Sequence, residues 1–292
     1  MNIFHAANIQ HRIVSIIIVS LLITGCVSAL VSTVTNDLAA NLTTAVLNQN
    51  DPDTVRDGAP AYLLLLDSLV EENPEDPLIL SSAATLYATY GTVFATDVKR
   101  ASRLTERARK YSSRAMCNAY MPACEWSGML FADYQKTLDG LKTKDAQVVY
   151  SYGLSSLAWI RVHSADYMAI AYLPYVEALF DRYLEINDGL DDATIHTYLG
   201  ILKSLIPAAL GGDPEEGRAH FEHAIHLSNG KDLSAKVEFA NSYARLLYQR
   251  DLHDRLLNEV LAANPESPRL TLTNILAQQH AKELLETADN YF

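Results

Sequence analysis

Residues 80–95 read LSSAATLYATYGTVFA, and this stretch decides the fold class of the chain. An apolar or small residue recurs every three or four positions, which is the spacing of one face of an α-helix. The members of this stripe are Leu80, Ala83, Ala84, Tyr87, Ala88, Gly91, Phe94 and Ala95. Alternation typical of a strand is not found at comparable length anywhere in the sequence. The stretch therefore predicts a helix with a buried face.

Other stretches repeat this spacing. They are Ala101, Leu104, Ala108, Tyr111 and Ala115, then Val237, Ala240, Ala244 and Leu247, then Leu256, Leu257, Val260 and Leu261. Proline is absent from three long windows, 78–121, 123–173 and 215–264. Because proline disrupts the interior of a helix, these windows favour long helices. The chain is therefore predicted to be all-α.

The start of one helix is marked by Asp213-Pro214, an N-cap acid followed by a proline at the first helical position. Within that helix Gly217, Phe221 and Ala224 keep the small–aromatic–small spacing of the second helix of a tetratricopeptide unit, a hairpin of about 34 residues. Elsewhere in the chain this tetratricopeptide spacing is only partly kept. We therefore expect a compact bundle of degenerate tetratricopeptide-like helical hairpins.

The N-terminus indicates export from the cytoplasm. Arg12 precedes a mostly apolar run over residues 13–23, which is shorter than the roughly 20 residues that span a bilayer but is typical of a signal peptide. The run ends in Ile23-Thr24-Gly25-Cys26, which matches a bacterial lipobox. We expect the Cys26 thiol to be lipidated, since two or more acyl chains give stable anchoring.

Cleavage of the signal peptide before Cys26 gives the predicted organisation of the chain. Residues 1–25 are a lipoprotein signal peptide, residues 26–50 are the lipidated cysteine and a tether leading into the first helix, and residues 51–292 are a single all-helical domain. Val27 follows the cysteine where aspartate would favour retention at the inner membrane. We therefore expect the protein on the periplasmic side of the outer membrane, attached to lipid only through its anchor.

The formal net charge is −12, with 35 acidic and 23 basic residues. Such a surface repels phosphate backbones, so nucleic acid is not an expected partner. Two further cysteines, Cys117 and Cys124, leave two readings open: a disulfide in an oxidising compartment, or two buried free thiols. A regular helix holds residues seven apart too far from each other for that bond, but Pro122 lies between them.

The sequence offers few candidates for catalysis. His220 and His223 have the spacing to share one metal ion, but no second cluster of ligands accompanies them. Phe221 and Ala224 occupy the buried stripe of the same helix, so we expect the histidines to be mostly solvated. Gly211-Gly212-Asp213-Pro214 lacks the Lys and Ser/Thr of a phosphate-binding loop. We therefore expect no metal, no cofactor and no enzymatic activity.

Aromatic residues are abundant between residues 126 and 183. Tyr and Trp combine apolar area with one polar group, which suits binding grooves, but they also fill cores. Both readings remain open for each residue. The candidate lining residues of a ligand cleft are Tyr87, Tyr90, Trp126, Tyr150, Tyr152, Trp159 and Tyr172.

Several short motifs follow one another over residues 75–292. In chain order they are Leu86-Tyr87-Ala88-Thr89-Tyr90-Gly91-Thr92-Val93-Phe94, Arg100-Ala101, Tyr150-Ser151-Tyr152-Gly153, Trp159-Ile160, Leu173-Pro174, Gly211-Gly212-Asp213-Pro214, His220-Phe221-Glu222-His223-Ala224, Asn274, Ala277-Gln278, Ala281, Leu284-Leu285 and Tyr291-Phe292. In order and spacing this set resembles the T-component lipoproteins associated with TRAP transporters (tripartite ATP-independent periplasmic transporters).

The resemblance implies cryptic tetratricopeptide hairpins and a homotrimer with a central pore, to which a cleft in each subunit is connected. It also implies binding of the transporter's periplasmic substrate-binding protein, a small hydrophobic ligand, and no catalysis. The alternatives are a general envelope-assembly adaptor lipoprotein built on the same hairpins, and a metal-dependent hydrolase using His220 and His223.

Replacing the predicted lipidation site tests the anchor. In the native host, Cys26→Ser should move the protein from the detergent-soluble membrane fraction to the soluble fraction, because the thiol that accepts the diacylglyceryl group is lost. Mass spectrometry of the wild-type chain should find an acylated N-terminal peptide that begins at residue 26. An unmodified thiol at this position would contradict the prediction.

Overall fold

The described residues form only helices and connecting turns. A computed structural model describes residues 44–187 and 192–292, and within these ranges no strand occurs, so the all-α prediction is confirmed. The α-helices, counted from Pro52, are α1 Pro52–Glu72, α2 Pro77–Val93, α3 Val98–Ala119, α4 Phe131–Leu138, α5 Ala146–Val162, α6 Tyr167–Ile170, α7 Leu173–Ile186, α8 Ala193–Lys203, α9 Pro214–Leu227, α10 Leu233–Glu238, α11 Arg250–Ala262, α12 Thr271–Glu286 and α13 Ala288–Tyr291.

The predicted stripe, apart from Phe94 and Ala95 beyond the end of the helix, forms the buried face of α2. Leu80, Ala83, Ala84, Tyr87, Ala88 and Gly91 are all buried. They pack on α3, whose own buried face is Ala101, Thr105, Ala108, Ser112, Ala115 and Met116. A Cβ atom placed on Gly91 would lie 3.0 Å from the Leu104 Cβ. The two helices therefore approach each other through small side chains, which large residues would prevent.

Acidic N-caps mark where several helices begin. The Asp76 carboxylate accepts hydrogen bonds from the backbone of the first turn of α2, and Asp97 does so for α3. Asp192 caps α8 in the same way. The predicted start at Asp213-Pro214 is confirmed, since the Asp213 side chain accepts the Glu216 N–H at 3.1 Å. Each cap satisfies amide groups that would otherwise lack a partner.

Helix α1 is tied to its neighbours by one carboxylate. Asp67 accepts hydrogen bonds from the hydroxyls of Tyr87 at 2.7 Å and Tyr111 at 2.8 Å, and it forms an ion pair with Arg107 at 2.8 Å. Burial and this hydrogen bond raise the pKa of Tyr111 to about 12. Three helices therefore share one polar junction, which fixes α1 against the α2–α3 hairpin.

Helix α5 lies at the centre of the first half of the chain and packs against α2, α3 and α7. It too approaches its neighbours through small residues, because Gly153 faces the ring of the fully buried Phe180. Gly200 of α8 stands in the same relation to Phe221 of α9. Helices α2 and α3, and α8 and α9, are neighbours in sequence that pack on each other, and their likeness to tetratricopeptide units stays a prediction.

The C-terminal helices are held by a buried amide. Asn274 is fully buried in α12; its amide nitrogen donates to the carbonyls of Lys231 and Pro265, and its oxygen accepts the Leu233 N–H.

Between α10 and α11 the backbone adopts a π-helical turn over Phe239–Ala244. Turns of this kind are rare and are often found at functional sites.

The two cysteines meet where α3 ends. The helix stops at Ala119, Tyr120 is extended, and Pro122 lies in a 3₁₀ turn, Met121–Glu125, that brings Cys124 back toward Cys117. The structure joins their sulfur atoms, with the Cα atoms 4.5 Å apart. The break in the helix thus removes the geometric obstacle that a regular helix would present.

The predicted signal peptide and Cys26 lie outside the described residues, as does most of the predicted tether. Among residues 44–187 and 192–292 no helix combines the length and apolarity needed to cross a bilayer. The predicted domain boundaries stay predictions.

Two glycine-to-alanine substitutions should change stability in opposite directions. At Gly153 a Cβ would lie 2.4 Å from the Phe180 ring, so Gly153→Ala should lower the free energy of unfolding by about 1–2 kcal/mol. At Gly58, within α1, a Cβ would have no atom within 4 Å. Gly58→Ala should therefore raise stability by about 0.5–1 kcal/mol through helix propensity.

Chemical denaturation followed by circular dichroism measures both changes. Equal effects of the two substitutions would show that α5 and α7 are not packed as closely as the structure has them.

Candidate functional site

Four of the seven candidate cleft residues lie in one pocket. Trp126, Tyr152, Trp159 and Tyr172 line it together. The remaining lining residues are Arg109, Tyr134, Ser156, Ile160, Tyr175 and Val176. They come from α3, the turn after the 3₁₀ segment, α4, α5 and the start of α7, so the pocket lies where the first half of the bundle converges.

The floor of the pocket consists of aromatic rings in edge-to-face contact. The ring centroid of Trp126 lies 4.9 Å from that of Tyr134 and 5.4 Å from that of Tyr152. The Trp126 indole N–H donates to the Thr137 hydroxyl at 2.8 Å, and the Tyr134 hydroxyl donates to the Tyr175 carbonyl at 3.1 Å. Because these polar atoms are satisfied within the protein, the floor is held in a fixed arrangement.

Arg109 covers the aromatic rings on the α3 side. Its guanidinium carbon lies 4.1 Å from the ring centroid of Trp159 and 4.7 Å from that of Tyr172. Contacts of this kind are cation–π interactions, in which the ring faces attract the positive charge. His163 also stacks on Trp159, with the centroids 4.9 Å apart. The half-buried Trp159 is thus held by two neighbours.

The electrostatic character of the pocket is positive. Its lining residues, all in the described part of the chain, include no carboxylate. Across residues 44–187 and 192–292, no acidic side chain forms an ion pair with Arg109. Burial raises the pKa of the Tyr152 hydroxyl, and the charge of Arg109 acts in the opposite direction by stabilising the phenolate. The field of Arg109 therefore reaches the pocket interior.

The space left by these side chains is small. The cavity of about 20 Å³ has room for roughly one water molecule. A larger ligand can enter only if a lining side chain moves. Trp126 and Tyr134 are buried. The half-buried lining residues are Arg109, Tyr152, Trp159, Tyr172 and Tyr175.

The other three candidates lie elsewhere. Tyr87 donates to the carboxylate that joins α1 to α2 and α3, and the Tyr90 hydroxyl donates to the Arg56 carbonyl at 3.1 Å. Tyr150 packs on the ring of Tyr183, with the centroids 5.9 Å apart. These three tyrosines serve contacts between helices, which the sequence alone did not distinguish from a cleft.

Sequence reasoning missed Arg109. Its residue type and position carried a signal, because it directly follows the buried Ala108 and so lies on the flank of the buried face of α3. An arginine at such a border is placed to reach across to a neighbouring helix. The packing of α3 against α5 determines which helix Arg109 reaches. It also places the rings of Trp159 and Tyr172 beneath the guanidinium.

A second, larger hollow lies between α5, α8 and the π-helical turn. Its volume is about 220 Å³, and it is lined by Arg161, Ile201, Ser204, Leu205, Asn241, Ser242, Leu246 and Tyr291. The guanidinium of Arg161 is neutralised by Glu238 at 3.0 Å. This hollow is therefore wider and more open to solvent than the aromatic pocket, but its one arginine is already paired.

The histidines are less solvated than the sequence indicated. His196 of α8 packs against α9, with its Nδ1 2.8 Å from that of His220 and its ring centroid 4.5 Å from that of His223. His220 and His223 are half-buried, so the expectation that they are mostly solvated is wrong, because His196 of α8 packs on them; His226 of the same helix is exposed. Among the residues that the structure describes, no group of three potential ligands is arranged to hold a metal ion.

The described residues thus combine an all-helical fold with a small enclosed pocket lined by aromatic side chains. Comparison with known proteins makes the class specific: the chain belongs to the TRAP transporter T-component family, whose model matches residues 48–292. It is also 22% identical over 280 residues to a Treponema pallidum (strain Nichols) protein named only as an uncharacterized protein, across 87% of this chain and 84% of the other. Members of this family are components of TRAP transporters, so membership associates this chain with such a transporter.

The packing of the three histidines should make stability depend on pH. Burial, and next the charge of His196, lower the pKa of His220 below its usual value of about 6.5. As the pH falls through that value, the unfolded chain takes up the proton before the folded chain does. Stability is therefore lost between the unfolded and the folded pKa values, and Tm should fall from pH 7.5 to 5.5.

In His220→Gln this part of the Tm decrease should be absent. His226→Gln, which changes an exposed histidine on the same helix, is the control and should keep the wild-type slope. An identical slope in all three proteins would mean that His220 titrates equally in the folded and unfolded chains.

Proposed function

We propose that this protein is a lipid-anchored periplasmic scaffold of a TRAP transporter that binds the transporter's substrate-binding protein and holds a small ligand in the aromatic pocket. The observation that carries the ligand-binding part is the convergence of Trp126, Tyr152, Trp159 and Tyr172 on one pocket. Aromatic rings with a few polar groups are the usual lining of small-molecule sites. Family membership supports the association with a transporter.

The chemistry of the pocket supports binding and not catalysis. Its lining residues, all described, include no histidine, cysteine or carboxylate, so they offer no paired nucleophile and base. What they offer is ring faces, hydroxyls and one guanidinium. We therefore assign the protein a binding role.

The same proposal places the protein outside the cytoplasm. Acylation of Cys26 anchors it to the periplasmic side of the outer membrane, and the oxidising periplasm keeps Cys117 and Cys124 joined. The bond holds the 3₁₀ turn against the end of α3, directly before Trp126. The disulfide thus supports one wall of the pocket.

Assembly into a homotrimer is part of the proposal. Exposed apolar side chains on α1, namely Tyr62, Leu64 and Leu65, are 41%, 70% and 54% accessible in the single chain. Three large apolar side chains within one helical turn are typical of a surface that another protein covers. The same face also fits the second candidate function, a general envelope-assembly adaptor.

Recovery of partners from the native host separates the two functions. The lipidated protein, crosslinked in cells and purified in detergent, should bring down the substrate-binding protein of a TRAP transporter, and its own crosslinked mass should be that of three chains. A matched preparation of Cys26→Ser shows which partners depend on the anchor. Recovery of envelope-assembly proteins with no substrate-binding protein would favour the adaptor.

A further inference from the structure

We propose that residues 27–47, which join the predicted lipidation site to the domain, form a helix that lies antiparallel on a second apolar stripe of α1. This second stripe consists of Val55, Gly58, Tyr62, Leu65 and Leu69. The inference goes beyond the proposed function, because docking of the tether on α1 requires neither a transporter nor a ligand. It names the occupant of an exposed surface and gives the segment that follows the anchor a place in the fold.

Helix α1 is apolar on two faces, and the described residues cover one of them. Leu63 and Val70 are buried on the side of α2, which is the main packing partner of α1. The second stripe is centred about 90° further round the helix, at 100° per residue. Tyr62 and Leu65 are exposed on it, although a helix of a globular domain normally buries its apolar positions. Apolar residues that recur every three or four positions on an exposed face indicate that another helix covers that face.

The chain directly before α1 is positioned to supply this helix. Residues 44–47 are helical, and the Asn48 N–H donates to the Thr44 carbonyl at 3.0 Å. Residues 48–51 then lead into α1, and the Asn48 side chain accepts the Arg269 N–H at 2.6 Å, which holds this turn beside the start of α12. Helices joined by so short a connection are usually antiparallel neighbours. The helix that ends at residue 47 is therefore directed back along α1.

The sequence of residues 27–47 has a pattern that matches the second stripe. Most of its large apolar residues recur at helical spacing, and the opposite side consists mainly of Ser, Thr, Asn and Ala. The apolar residues at this spacing are Val27, Val31, Val34, Leu38 and Leu42. Neither proline nor glycine occurs from residue 27 to residue 51, so no residue interrupts a helix there. Because an isolated helix of this composition is marginal in water, it depends on a surface to pack against.

The register of the two stripes agrees. In an antiparallel hairpin, facing residues lie at equal distances from the middle of the connection, which here is residues 48–51. Counted to within one residue, the facing pairs are Val31 with Leu69, Val34 with Leu65, Leu38 with Tyr62 and Leu42 with Gly58. Every one of these pairs joins the two apolar stripes. Such agreement is expected of two helices that pack on each other.

Charge favours the tether over a second copy of α1 as the occupant. Helix α1 carries five acidic side chains and one arginine, whereas residues 27–47 carry a single charged residue, Asp37. Two α1 helices in contact would bring like charges together, and an almost uncharged helix avoids that repulsion. In this arrangement the tether, and not a neighbouring subunit, covers Tyr62 and Leu65. Leu64 lies about 100° round from Leu65 and remains available to a neighbouring subunit.

Docking of the tether fixes where the anchor leaves the domain. Helix α1 has 21 residues and is about 30 Å long. A helix of residues 27–47 has the same number of residues, so it carries Cys26 back to the end of α1 near Glu72. The same residues in an extended conformation would reach roughly 70 Å. With Cys26 acylated as in the proposed function, the turn between α1 and α2 is the part of the domain that faces the membrane.

Cysteine crosslinking in membranes of the native host tests the docking. Val34→Cys/Leu65→Cys places thiols at a facing pair, and mild oxidation should join them within one chain. Val34→Cys/Leu64→Cys is the matched control, because Leu64 is an exposed leucine at the same height on another side of α1. We expect about fivefold or more of the intrachain product from the first variant, since a disulfide requires Cβ atoms about 4 Å apart. Mass spectrometry of the linked peptides separates this product from the bond between Cys117 and Cys124.

Hydrogen exchange measures the docking without added cysteines. In the wild-type protein, the amides of residues 31–42 should exchange about tenfold or more slowly than in Leu65→Asp, because docking protects helical N–H groups from exchange. Leu64→Asp introduces the same charge beside the second stripe and should keep the wild-type protection. Thermal unfolding shows whether each variant remains folded.

Three results would overturn the proposal. The first is a crosslink that joins two chains, which would assign the second stripe to another copy of the protein. The others are equal yields from the two double variants, and fast exchange of residues 31–42 in the wild-type protein. None of these measurements depends on acylation of Cys26 or on recovery of a substrate-binding protein, so the proposed function is tested separately.

Discussion

Close approach between helices through small side chains is the constraint on which the rest of this structure depends. Gly91 of α2 lies against Leu104 of α3, and Gly153 of α5 lies against the ring of Phe180. A larger residue at either position would push the helices apart. With α2, α3, α5 and α7 held this close, long side chains on the flanks of one helix reach the next.

The aromatic pocket is a consequence of that spacing. Arg109 leaves the flank of α3 and reaches Trp159 of α5 at 4.1 Å because the two helices are in contact. Below it, Trp126 and Tyr134 donate hydrogen bonds to the protein itself, which holds these two rings in place.

The charge of the aromatic pocket differs from that of the chain as a whole. A strongly acidic exterior keeps anions in solution away from most of the surface. The aromatic pocket has no carboxylate in its lining and contains the guanidinium of Arg109. Membership of the T-component family associates the chain with a TRAP transporter.

The sequence by itself determined the helical class, most positions of the buried stripes, the helix start at Asp213-Pro214 and the family resemblance, because spacing, propensity and capping are local properties. Leu247 and Leu261 were predicted within these stripes but are exposed. Four pocket residues could also be named from their type. Only the tertiary structure decided that Tyr87, Tyr90 and Tyr150 join helices instead, that His196 covers His220, and that Arg109 belongs to the site. Those facts depend on which helix faces which across the bundle, a long-range property that no local pattern encodes.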